Sequence, residues 1–328
     1  MASDGRRGWG ATALATALAV VFLQLSVLGI FFLLPLQWLY RRRGASLFLV
    51  AALATALGTG AVEVVVLTLS HSSWSLLDTA KMGVPLLLIA GWVLIVLLEK
   101  SGWRFLYRLL GVTAVTAALL FVVIGQAAAQ PDFGQKLEGA FNQVWNQALQ
   151  TSGLGAQDAF GQVEKKALFE LIKETFLGSF VLVFFLFWGF TEWLSRAFTP
   201  ARWARTWRDF SVPTQGVWLL LGFWGVILLQ AVAVRFGAKW DLGFAQYVVL
   251  NAAWVALAVY AMEGWGIVQA LMERWNWPRF VQAVVRTTLV VFVLMPGPTQ
   301  IVVMIGLPVL AVLELWVNFR KREQGVRE

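Results

Sequence analysis

The sequence predicts an all-α, polytopic membrane bundle, and three observations carry that prediction. Hydrophobic residues make up 59% of the 328-residue chain and charged residues only 13%, too little polar surface to cover a water-soluble body of this size. The apolar residues fall in long runs, several of them near the ~20 residues that a helix needs to cross ~30 Å of hydrocarbon. The basic residues lie between those runs in short clusters, so the net charge of +8 reads as the positive-inside pattern of a membrane protein rather than a nucleic-acid-binding surface. A single membrane domain over residues 1–328 is expected. The chain has no cysteine, which leaves no disulfide, thiolate metal site or thiol nucleophile.

The opening segment "MASDGRRGWGATALATALAVV" begins like a signal peptide. Its apolar stretch runs on through "ALAVVFLQLSVLGIFFLLP" with no convincing cleavage site, so it reads as a retained anchor. Ala11 to Tyr40 is thirty uncharged residues, too long for one upright crossing. Gly29 and Pro35 favour a hairpin of two half-spans; one long tilted helix is the competing reading. Ala45 to Ser70 carries one charge, Glu63. Val84 to Leu98 is short and uncharged; Leu109 to Gln130, Val217 to Val234 and Leu242 to Met262 are uncharged; Leu171 to Leu194 has Glu192 near its end. The stretch from Trp277 to Asn318 is broken by Pro296-Gly297-Pro298, which removes backbone donors and predicts a second hairpin. The total is nine or ten membrane segments.

Orientation follows from the basic clusters Lys100, Arg104 and Arg108; Arg196, Arg202, Arg205 and Arg208; Arg274 and Arg279; and Arg320, Lys321 and Arg322. All four can face the cytoplasm of a bacterial inner membrane, with the carboxyl terminus inside. Arg41, Arg42 and Arg43 join them, and Arg6 and Arg7 do so only if Ala11 to Tyr40 crosses twice.

Residues 131–170 form an extracytoplasmic insert. Phe133, Leu137, Phe141, Val144, Trp145, Ala148 and Leu149 recur at helical spacing, Gly153-Leu154-Gly155 breaks the pattern, and Phe160, Val163, Ala167, Leu168, Leu171 and Ile172 resume it. A pair of amphipathic helices is predicted. On the inner side, residues 199–211 predict an interfacial helix, with Thr199 as cap and Pro200 at the first helical position. Arg202 and Arg205 share one face and Trp203 and Trp207 another, which suits a topology anchor among head groups or a docking surface for a soluble partner.

Four stretches carry a resemblance to a known family. They are "LPLQWLYRRRGASLFLVAALATAL"; "FVLVFFLFWGFTEWLSRAF" with "FSVPTQGVWLLL"; "LNAAWVALAVYAMEGWGIVQALMERWNWPR"; and "IGLPVLAVLELWVNFRKR". Together they resemble the YybS-like predicted membrane proteins, a domain of unknown function distantly similar to the substrate-binding subunits of energy-coupling-factor vitamin transporters. Glu263 and Glu192 stand where that family would carry an amide, and Glu314 where its tail tends to carry aspartate. The resemblance implies architecture, and a transport-class role with the energy supplied by a partner.

Charges within spans cost ~2.5 to 3.5 kcal/mol each on insertion scales, which singles out Glu63, Glu192, Glu263 and Glu314. Glu263, Asn251 and Gln269 belong to one continuous helical pattern, with Gly264 and Gly266 allowing close approach by a neighbour. With Trp254 and Glu63 they are the candidate substrate-binding residues. Structural pairing of Glu263 with Arg274 or Arg286 is the blander alternative. Trp188, Trp218, Trp224, Trp254 and Trp265 lie inside apolar runs, lining a cavity for a flat ligand or simply packing. The sole histidine, His71, sits in a polar turn near Asp78 and makes a poor metal site.

No phosphate-cradling loop or zinc-protease spacing is present in the sequence, so no ATPase, catalytic residue, metal or cofactor is expected. Two functions fit: a small-solute-binding, transport-class membrane subunit working with membrane or ATPase partners, or a non-catalytic cell-envelope scaffold. An enzyme acting on lipid-linked substrates ranks third. A cavity at Glu263, Asn251 and Trp254 favours the first and solid packing there the second.

Overall fold

The computed structural model describes residues 2–25, 29–70, 76–152, 162–197, 210–238, 240, 242–294, 297–317 and 319. Among these the regular structure is helical throughout, with eleven α-helices. Seven helices are long and apolar enough to cross a membrane, which makes the chain a multi-pass α-helical bundle. It resolves into two compact units, Met1–Ser195 and Arg196–Glu328.

Unit 1 begins with α1 (Ala2–Gln24), a 3-10 turn at Gly29–Phe31, and α2 (Leu33–Arg43). Ala11 to Tyr40 is therefore a helical hairpin and not one long helix. Pro35 falls in the first turn of α2, where a helix has no use for the missing N–H. At ~1.5 Å per residue, the 11 residues of α2 reach about half-way across the hydrocarbon. Gly44, at φ 88°, closes α2 by donating its N–H to Tyr40 O at 2.9 Å. The next helix, α3 (Ala45–Ser70), starts at once.

The direction of α1 is fixed by its register on α3. Gly8 lies beside Leu47, the Thr16 hydroxyl faces Ala51 O at 3.5 Å, and Val20 packs on Gly58. The two helices thus run the same way, and the start of α1 shares an end of the unit with Arg41, Arg42 and Arg43. The seam is built from small residues, with Ala15, Ala19, Ala51 and Ala52 buried, which lets the backbones approach. Buried hydroxyls in this apolar setting serve themselves: Thr12, Thr55 and Thr59 each donate to the carbonyl four residues back, at 3.0, 2.8 and 2.8 Å.

The unit continues with α4 (Leu76–Leu97), a 3-10 turn at Leu98–Ser101, α5 (Phe105–Ala128), α6 (Phe133–Ser152) and α7 (Gln162–Ala197). Trp188 of α7 fills the space that Gly91 of α4 leaves open, and its indole N–H donates to Leu88 O at 3.0 Å. The predicted insert needs one correction. Its first amphipathic helix is α6, whereas the second is not separate: residues from Gln162 run without interruption into the following span, as one helix of 36 residues. The stretch from Gln162 to Leu177 holds no glycine or proline to break it. The Phe141 and Phe169 rings, 5.2 Å apart, pack α6 on this extension.

Unit 2 comprises α8 (Gly216–Arg235), α9 (Ala245–Arg274), α10 (Arg279–Leu294) and α11 (Pro298–Val317). Tyr260 lies at Gly216, Trp254 at Trp224 and Gln246 at Gln230, so α8 and α9 are antiparallel. Gly264 meets the backbone of Leu307, and Arg274 Nη1 reaches Phe319 O at 3.5 Å, so α9 and α11 run in parallel. The predicted second hairpin is present as α10 and α11, with Gly297 between them at φ 147°. Val217, Leu220, Tyr260, Ile267 and Ala311 form the core of this unit.

Candidate functional site

Of the residues singled out in the sequence, Asn251, Glu263 and Gln269 are buried on α9, while Trp254 is half-buried on the same helix and Glu63 half-buried on α3 of unit 1. At 100° per residue, Asn251 and Gln269 share a face five turns apart, and Glu263 points about 120° away from both. Three side chains so disposed do not converge on one small solute. Gly264, next to Glu263, takes the backbone of Leu307 where a Cβ would stand, so α9 and α11 are closely packed there. Asn251 donates to Tyr247 O at 2.8 Å, and Gln269 Nε2 is buried without an acceptor. Trp218 is 73% exposed and Trp254 stands edge-on to Trp224, which is packing rather than a shared aromatic lining. Glu314 is half-buried on α11. Arg202, Trp203, Arg205 and Trp207, most of the interfacial helix of residues 199–211, His71, the Gly153-Leu154-Gly155 break and the basic tail from Arg320 lie outside the described residues.

The polar groups that the fold does gather are in unit 1, at the end where α2 finishes. Gln37, fully buried on α2, donates through Nε2 to Glu192 Oε2 at 3.1 Å and accepts at Oε1 from the Trp92 indole N–H, also at 3.1 Å. The other Glu192 oxygen accepts from Arg41 Nη2 at 2.8 Å. Arg41 reaches on through Nη1 to Glu99 at 3.5 Å, and Glu99 accepts from the Tyr40 hydroxyl at 2.8 Å. Arg108 completes the chain, 3.8 Å from Glu99 and donating to Ile95 O at 3.1 Å.

Local sequence explains each position. Gln37, Tyr40 and Arg41 are spaced three and four apart and so lie on one face of α2. Glu99 stands in the 3-10 turn that ends α4, and Gly102 at φ 75° turns the chain so that α5 brings Arg108 back to it. Glu192 follows Trp188 by one turn of α7 and is 4% exposed, held by the same packing against α4.

The arrangement neutralises itself, with two guanidinium groups against two carboxylates, as buried charge requires. It is nevertheless incomplete. Arg108 Nε is buried with no acceptor, and so is the hydroxyl of Thr113 further along α5. A buried donor without an acceptor costs ~1–3 kcal/mol, so the network retains hydrogen-bonding capacity. The sequence singles out Glu192 as a charge within a span, but no motif in it points to Gln37, Trp92 or Glu99. One signal was available: Gln24 and Gln37 are the only amides in the Ala11 to Tyr40 run.

The fold and this network define a multi-pass helical membrane protein with a buried, charge-balanced polar cluster at one end of its first unit. No family model, no curated protein and no solved structure matches the chain.

Proposed function

We propose that this protein is a small-solute-binding, transport-class membrane subunit without an ATPase of its own, and that its solute site is the network of Gln37, Arg41, Trp92, Glu99, Arg108 and Glu192. The observation that carries this reading is Glu192, a buried carboxylate held by an amide and a guanidinium of a helix too short to cross the membrane. Ionisable groups inside a membrane protein are costly and mark solute or ion pathways. Arg108 Nε supplies a donor still to be satisfied. The resemblance to YybS-like proteins points the same way, and in this reading an energising partner is recruited to the cytoplasmic side of the inner membrane.

A scaffold role is the second reading, favoured by the close packing of α9 on α11 beside Glu263 and of Trp254 on Trp224, where a transport site on α9 would need a cavity, and by α6. That helix lies outside the seven spans and exposes Gln135, Lys136 and Glu138. Gentle purification of the tagged protein from native membranes separates the two. Transport predicts one stoichiometric small molecule released on denaturation, together with a co-purifying membrane subunit and ATPases. Recovery of envelope-synthesis proteins with no solute would make the protein a scaffold.

A further inference from the structure

The end of unit 1 that holds the network carries more positive charge than the network uses. Arg41 and Arg108 are engaged by Glu192 and Glu99. Arg42 and Arg43 at the end of α2, and Lys100 and Arg104 in the α4–α5 connection, are exposed and have no carboxylate partner among the described residues. Six basic groups against two carboxylates leave four positive charges. They belong to one patch. The Arg41–Glu99–Arg108 bridge ties the end of α2 to the α4–α5 connection, and Arg108 sits one turn after Arg104, its N–H donating to Arg104 O at 3.3 Å.

Two further features say what kind of anion this patch meets. Trp103 and Tyr107 flank Arg104 and are 56% and 44% exposed, the position of amphipathic rings that settle at head-group depth. Immediately beyond Arg43 and Gly44, Leu49, Leu53 and Leu57 repeat every four residues along α3 and are all exposed, an apolar track leading from the basic patch toward mid-membrane. A free phosphate has no use for that track, whereas an acyl chain does.

We propose that this patch is a binding site for an anionic phospholipid of the surrounding leaflet, its head-group phosphate among Arg42, Arg43, Lys100 and Arg104 and an acyl chain along the exposed leucines of α3. The site is independent of whether the buried network binds a solute. A basic side chain near an anionic surface contributes about a fivefold preference, so loss of even two of the four is measurable.

The test uses the full-length chain, purified in mild detergent from mixed micelles containing equal phosphatidylglycerol and phosphatidylcholine, with retained lipid counted by native mass spectrometry. Wild type is expected to retain phosphatidylglycerol preferentially. The double variants R42Q/R43Q and K100Q/R104Q should each lower that preference about fivefold or more, and the charge-preserving variant R42K/R43K should keep it. Circular dichroism and gel filtration verify that each variant is folded, and either double variant alone suffices if the other misfolds. Equal retention of the two lipids by wild type, or unchanged preference in a folded double variant, would overturn the proposal. Complete displacement of the lipid by millimolar inorganic phosphate would overturn it too, by making this a site for a free anion.

Discussion

Glu192 Oε1 lies 2.8 Å from Arg41 Nη2, although 151 residues separate them in the chain. The contact fastens a helix that does not cross the membrane to one that does, and it is the centre of the polar network. Its consequences are open to measurement.

Glu192→Ala leaves Arg41 and Gln37 without their shared acceptor in a buried setting. The loss is expected to be about 3 kcal/mol, the low end for a buried pair, because Gln37 is left buried without this acceptor whereas Arg41 is one-third exposed and keeps Glu99; it is seen as a lower unfolding midpoint in detergent. Glu99→Gln should cost less, about 1–2 kcal/mol, because the Arg41–Glu99 pair is about one-third exposed and the new amide oxygen still accepts from Tyr40, while buried Arg108 loses its carboxylate. An equal loss in the two variants would mean that Glu192 is not the anchor.

Gly91 and Gly111 offer a test of packing. A side chain at Gly91 would enter the Trp188 indole, whereas one at Gly111 meets nothing. Gly91→Leu should destabilise by at least about 1–3 kcal/mol, and Gly111→Leu should be near neutral. Trp188→Ala should remove most of the Gly91→Leu penalty when the two are combined, because the indole is what the new side chain strikes. Additive losses would contradict that contact.

The parallel register of α1 and α3 predicts topology. The natural chain has no cysteine, so Ser3→Cys, Ser101→Cys and Gln135→Cys can each be probed singly with an impermeant thiol reagent. Ser3 and Ser101 should label from one side of the membrane and Gln135 from the other. Ser3 and Gln135 labelling together would contradict the hairpin.

The spans were legible because an uncharged run of membrane length has one economical fate, and the Pro-Gly-Pro break before α11 because it removes backbone donors. The α1–α2 break was less so: Gly29 and Pro35 are each compatible with a continuous helix, and packing of α1 on α3 decides the matter. The insert was half legible. Its amphipathic spacing was read correctly, but the change from an amphipathic to a uniformly apolar pattern hides that the helix beginning at Gln162 shares its axis with the next span, and only the absence of glycine and proline up to Leu177 marks it. The network was least legible, since Gln37, Trp92, Glu99 and Glu192 lie on three helices and a turn, and no short-range pattern joins them. The candidate set on α9 illustrates the converse: Asn251, Glu263 and Gln269 share a helix, but helical geometry turns Glu263 away from the face of the other two and sets those two five turns apart.

The most direct test of solute binding at the network compares wild type with Glu192→Gln, purified identically from native membranes and analysed for small molecules released on denaturation. Binding at the network predicts one stoichiometric solute in wild type and its loss from a folded Glu192→Gln protein. The same solute at the same stoichiometry in both would contradict the assignment.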